Sequence, residues 1–231
     1  MRTDFDPAAA RRIALRETAS MAGLGLLLPF GFIASRHRPL RRRDLRTVVL
    51  VHGLGANRGS FYPLQAWLKL SGHDRQLAFN HRSGPSVEAL AIQLKQIIDA
   101  QVRGGRIDLI AHSLGGLICR VYLQMLGGDR RVDRLITLGT PHQGTYASLW
   151  APSAFVRQLD PGGPFLRHLN GLPPPRTAVT SIVGESDALI LPREAAACSF
   201  GEVRRFPTLG HNGLLTSPAV FRTVKAVLRA P

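Results

Sequence analysis

The stretch LIAHSLGGLIC, residues 109–119, places a serine between an apolar run and a pair of glycines. Two readings of Ser113 are open. As a helix N-cap it would satisfy a backbone N–H of the first turn. As a nucleophile it would occupy a sharp strand-to-helix turn, with its hydroxyl exposed and the helix N-terminus behind it. The flanking sequence favours the second. RIDLIAH (106–112) is an apolar, β-branched run of strand character, and LGGLICRVYLQML (114–126) has helical spacing. Such a turn brings the backbone close to its neighbours and needs small residues. Gly115 and Gly116 supply them on one side, and Ala111 stands on the other where a G-x-S-x-G pattern has its first glycine.

Working outward, strand-like and helix-like segments alternate. TVVLVH (47–52), RQLAFNH (75–81), VDRLITLGT (132–140), TAVTSIVG (177–184) and GEVRRFPTL (201–209) join RIDLIAH as strands. FYPLQAWLKLSG, SVEALAIQLKQIIDAQV and PAVFRTVKAVLRA read as helices. This alternation predicts an α/β fold, with a mostly parallel central sheet of about six strands covered by helices on both faces. Residues 146–176, rich in Pro, Gly and Leu, hold no strand-like run. They read as short helices broken by turns, forming either a small cap over a cleft or an ordinary connection.

A serine nucleophile needs a base, an acid to orient that base, and donors for an oxyanion. In α/β folds with a nucleophile on such a turn the acid and then the histidine follow the serine in the chain. His211, in FPTLGHNGLL, lies beyond the last strand and before the closing helix, where a loop brings it over the sheet edge. For the acid, VGESDALILP ends a strand and offers Asp187, with Glu185 in reserve. The oxyanion donors are the backbone N–H of Leu114, at its helix start, and that of Leu54, in the HGLG turn after the first strand. His52, Gly53, His112 and His142 are assigned to the substrate-binding cleft.

With these pieces assembled, the chain resembles the α/β-hydrolases, and among them the small bacterial lipases and esterases. The resemblance rests on VLVHGLG, AHSLGG, LITLGTPHQG, VGESDALILP and GHNGLL, and spans His52 to Gly213. It implies hydrolysis of carboxylic esters, with Ser113, Asp187 and His211 as triad, no cofactor and no metal. In such lipases an alanine often takes the place of the first elbow glycine, which Ala111 fits. An acyltransferase or lipid amidase would use the same triad. A membrane-associated binding protein that keeps the fold without catalysis is the reading from another class.

The division expected from these patterns is an N-terminal segment, 1–46, followed by a hydrolase domain, 47–231, with 146–176 as the candidate cap. In the first segment, TASMAGLGLLLPFGFIAS (18–35) is apolar and uncharged, with Arg11, Arg12 and Arg16 before it and RHRPLRRRD after it. It is slightly short for a transmembrane helix and contains Pro29. A membrane anchor or interfacial helix is preferred, then an export signal, then a helix packed on the domain. The protein is accordingly expected to be membrane-associated or exported, in a bacterial setting. The net charge of +15 includes +6 within residues 1–46 and is spread along the rest. Only Lys69, Lys95 and Lys225 are lysines, and no basic motif with interleaved aromatics stands out, which speaks against nucleic acid. An anionic membrane surface suits the charge better. The expected substrate is a small-molecule or lipid ester. Cys119 and Cys198, without short spacing, read as two free thiols.

Overall fold

The computed structural model describes residues 6–32, 46–82 and 84–230. The basic run Arg41–Arg43 and the last residues of the apolar stretch, 33–35, lie outside them. Six strands, β1 (Thr47–Val51), β2 (Gln76–Phe79), β3 (Ile107–His112), β4 (Val132–Leu138), β5 (Ala178–Gly184) and β6 (Glu202–Phe206), form one sheet in the order β2-β1-β3-β4-β5-β6. Every pairing is parallel. The helices are α1 (Pro7–Gly31), α2 (Tyr62–Leu70), α3 (Val87–Gln101), α4 (Leu114–Met125), α5 (Pro164–Gly171) and α6 (Pro218–Arg229).

The period-2 alternation of the strands sorts their side chains between two apolar layers. Val49, Val51, Leu109 and Leu135 pack with Leu94 and Ile98 of α3 and Leu117 and Val121 of α4. Val48, Leu50, Ile110 and Ile136 face the other way, onto Leu64 and Leu68 of α2 and Val220 and Val224 of α6. Leu24 of α1 joins this second layer. With both faces covered, β1 and β3 are buried throughout, while β6 is a largely exposed edge carrying Arg204 and Arg205.

The strand order decides where a site can form. From β1 the chain moves to β2 on one side, then crosses back to β3 on the other. The segments leaving β1 and β3 therefore diverge from neighbouring strand ends, which opens a crevice at the carboxyl edge. The register pairs Val51 with Ala111, so the HGLG turn and Ser113 emerge side by side. Packing there is tight: a Cβ on Gly115 would collide with the Val51 carbonyl, and one on Gly116 with the Thr140 side chain.

Residues 146–176 are the short helical turns Tyr146–Trp150 and Val156–Leu159 followed by α5. Cys119 and Cys198 are both buried and free, and burial pushes the Cys119 thiol well up. Gly115→Val should force α4 off β1 at a cost of about 1–3 kcal/mol. For a chain of this size that lowers the melting temperature by roughly 2–12 °C. Scanning calorimetry checks this, and a variant melting with the wild type would contradict it.

Candidate active site

Ser113 has φ 54° and ψ −127°, the one non-glycine residue with positive φ among the described residues. Its N–H donates to the Leu138 carbonyl (2.9 Å), and its carbonyl accepts from Gly116 N (3.0 Å) and Thr140 Oγ1 (2.8 Å). The backbone is thus clamped from β4 and α4 in a conformation that side chains avoid, which is characteristic of functional sites. Although the residue stands at the N-cap position of α4, its hydroxyl makes no capping bond. Ser113 is half-buried and lines a cavity. Gly53 stands so close that a Cβ there would lie 2.8 Å from the Ser113 Cβ.

Asp187 and His211, brought from the loops after β5 and β6, meet beside this turn. His211 Nδ1 donates to Asp187 Oδ2 at 2.6 Å, with both residues buried. The other oxygen, Oδ1, accepts from Leu189 N (2.8 Å) and Ile190 N (3.0 Å), so the carboxylate cannot rotate without losing bonds. With the proton of the neutral ring held on Nδ1, Nε2 is left as the basic nitrogen. His211 lines the same cavity as Ser113. Glu185, two residues from the aspartate, is part-exposed and pairs with Arg205 at 3.8 Å.

His112 also lines the cavity. Its ring lies 4.6 Å from that of His211, and its Nε2–H donates to the His211 carbonyl (3.2 Å). Leu54 and Leu114 line the cavity as well, with Leu114 in the first turn of α4, where helical N–H groups lack intrahelical partners. His52 and His142 lie outside the lining. The His52 Nε2 accepts the His81 backbone N–H (3.1 Å), which puts its proton on Nδ1, donating to Gly53 O (2.9 Å). Stacked on His81 at 4.0 Å, it braces the HGLG turn from behind. His142 is fully buried, with Nε2 bonded to Thr137 Oγ1 (3.0 Å) under the sheet end, so it presents nothing to the cleft.

The cavity measures about 430 Å³, within the range for small-molecule sites. Leu24 and Leu28 of α1, with Val156, Leu159, Ile190 and Leu215, give it an apolar wall. Two features escaped sequence reasoning. Gly139 (φ 56°) passes so near the Asp187–His211 pair that a Cβ would lie 3.3 and 3.2 Å from the two side chains. Glu17 of α1 accepts from Asn212 N (2.6 Å) and Gly213 N (3.0 Å), directly after His211. The available signal was that Glu17 is the only acidic residue in an otherwise apolar and basic helix. Among the described residues, no three His, Cys, Asp or Glu side chains converge to hold a metal ion.

The model of the palmitoyl protein thioesterase family matches residues 47–168, more than half of the chain. The chain belongs to the palmitoyl protein thioesterase family. The match runs from β1 into α5 and includes Ser113, whereas Asp187 and His211 lie beyond it. Solved structures of lipases and other α/β-hydrolases share its fold. A Bacillus licheniformis lipase in its mature form is 17% identical with TM-score 0.67, covering 84% of this chain and 96% of its own. Lipase B of Aspergillus fumigatus is 16% identical with TM-score 0.70, over 86% of this chain and 55% of its own. The mouse alpha/beta hydrolase domain-containing protein 10 is 15% identical with TM-score 0.59, over 79% and 87%. At these identities the shared property is the fold.

In this thioesterase-family chain three buried histidines, His52, His112 and His142, are held neutral. Burial, then the charge of His81, lowers the His52 pKa to about 3. Burial also takes His112 and His142 well below 6.5, helped by His211 and Arg120 respectively. In the unfolded chain each titrates near 6.5. Below that pH the unfolded state binds protons that the folded state refuses, so stability falls on acidification. Between pH 6.5 and 5 each such histidine removes roughly 2 kcal/mol. Urea midpoints should therefore drop across this window, and less steeply in His52→Gln; a slope unchanged by that substitution would contradict the assignment.

Proposed function

We propose that this hydrolase cleaves carboxylic esters of fatty acids through a Ser113–His211–Asp187 triad. The observation that carries the reading is the 2.6 Å contact between His211 Nδ1 and Asp187 Oδ2 in a cavity shared with the strained Ser113. In this mechanism the Ser113 Oγ attacks the acyl carbonyl carbon while His211 Nε2 takes its proton. Asp187 holds the imidazole in the required tautomer and stabilises the cation that forms. The developing oxyanion is met by the N–H groups of Leu114 and Leu54. Collapse of the tetrahedral adduct breaks the bond to the leaving alcohol, which receives the proton from His211. Water then enters and bonds the acyl carbon while giving a proton to the same nitrogen, and that proton passes to Ser113 Oγ as its bond to the fatty acid breaks.

A second reading, favoured by the family match, is that the leaving group is a thiol. The acyl-enzyme is the same, but a thiolate leaves with less help from a general acid, so the matched thioester separates the two. The hydrolase domain is proposed as residues 47–231, with 146–176 as a compact cap and 1–46 as an appended segment whose helix α1 closes one wall of the cavity. The outward face of α1 exposes Leu15, Leu26 and Phe30. With a net charge of +15, this favours an anionic membrane surface as the place where substrate is met.

Ser113→Ala should reduce hydrolysis of p-nitrophenyl esters by at least about 10³-fold with an unchanged circular dichroism spectrum. Asp187→Asn should cost about 10⁴-fold in kcat by removing the tautomer's acceptor. His142→Ala should cost far less than His211→Ala. Undiminished turnover in the Ser113 variant, or the reverse order for the histidines, would overturn the mechanism.

A further inference from the structure

The helix α1 is the one described helix long and apolar enough to cross a membrane, yet it lies against the rim of the cavity. Polar bonds dock it from Glu17 to its C-terminal end. Besides the two backbone bonds of Glu17, its Oε1 accepts from Asn212 Nδ2 (3.1 Å). Ser20 Oγ meets Thr216 Oγ1 at 2.9 Å, and Asn57 Nδ2 donates to the Leu28 carbonyl (2.8 Å). Tyr62 Oη donates to Phe30 O (3.0 Å), and Asn80 Nδ2 to Gly31 O (3.3 Å). Two glycines set how close it comes: a Cβ on Gly31 would collide with Asn57, and one on Gly59 with the Leu27 carbonyl. Rotation and height of α1 are therefore fixed over the stretch from Glu17 to Gly31.

That docking turns Met21, Leu24, Gly25 and Leu28 to the cavity that holds Ser113 and His211. Three of these fill space with apolar side chains. At Gly25 the wall is bare backbone, and a Cβ built there meets nothing within 4 Å. Glycine inside a helix costs about 1 kcal/mol relative to alanine, so nothing local to the helix favours it at this position. Gly23 is equally open to a Cβ but is absent from the lining.

We infer that α1 forms the acyl-chain wall of the active site and that the missing side chain at Gly25 makes room for a long acyl group. This rests on the ester or thioester reading of the same site. Leaving groups do not enter the inference, since only the acyl half of the substrate would lie along α1.

The test is the ratio of kcat/KM for p-nitrophenyl laurate to that for p-nitrophenyl butyrate, in the full chain. Gly25→Leu should lower this ratio at least about tenfold, the scale on which a pocket discriminates by single methylenes, with butyrate turnover retained. Gly25→Ala should lower it less, and Gly23→Leu should leave it at the wild-type value. Retained butyrate turnover shows that each variant is folded. A Gly25→Leu ratio equal to the wild type, or an equal fall in Gly23→Leu, would overturn the assignment of α1 while leaving the triad intact. Loss of butyrate and laurate turnover together in both Gly25 variants would overturn it too. A wild-type protein that turns over neither ester would overturn the parent reading and this one with it.

Discussion

Holding Ser113 at φ 54° costs on the order of 1–3 kcal/mol, and much of the architecture at the sheet's carboxyl edge can be read as what keeps that conformation in place. The parallel pairing of β3 with β4 supplies the Leu138 carbonyl that holds the Ser113 N–H. Thr140, in the segment leaving β4, clamps the carbonyl of the same residue. The glycines after the serine let α4 approach β1 and Thr140 closely enough for the turn to close. Since the hydroxyl takes no part in capping the helix, the strain leaves it free at the point where the loops from β1 and β3 diverge.

Around this turn the electrostatics are organised by burial. His52, His112 and His142 are kept uncharged by their surroundings. His211 alone of the carboxyl-edge histidines described here has a carboxylate partner, at 2.6 Å. The neutral rings act as braces: His52 supports the HGLG turn through Gly53 O, and His112 fixes the carbonyl of His211.

The sheet and the Ser113 turn were legible because their signals are contiguous. Apolar runs mark the inner strands, β6 follows from its place in the alternation, and the serine sits within the strand and helix that frame it. Asp187 was legible from its place after β5, and its contact with His211 spans only two neighbouring loops. Less was legible where the meaning of a residue depends on a distant partner. His52 and His142 look like cleft residues beside HGLG and GTPHQG, but their rings turn into the protein, toward His81 and Thr137. Hydropathy marks α1 as an apolar helix without saying which face is covered. Its docking depends on Glu17 reaching residues 195 and 196 positions away, a separation no local pattern encodes.

Three serines line the cavity, and the hydroxyls of two of them are already engaged. Ser60 Oγ donates to Asn57 O (2.8 Å), and Ser148 Oγ is engaged by Thr145 O and Asp160 Oδ1, both at 2.6 Å. The most direct measurement is therefore covalent labelling by a fluorophosphonate, followed by intact mass and peptide mapping. One label per chain, on the peptide that carries Ser113, is the predicted result. No label, or a label on Ser60 or Ser148, would contradict it.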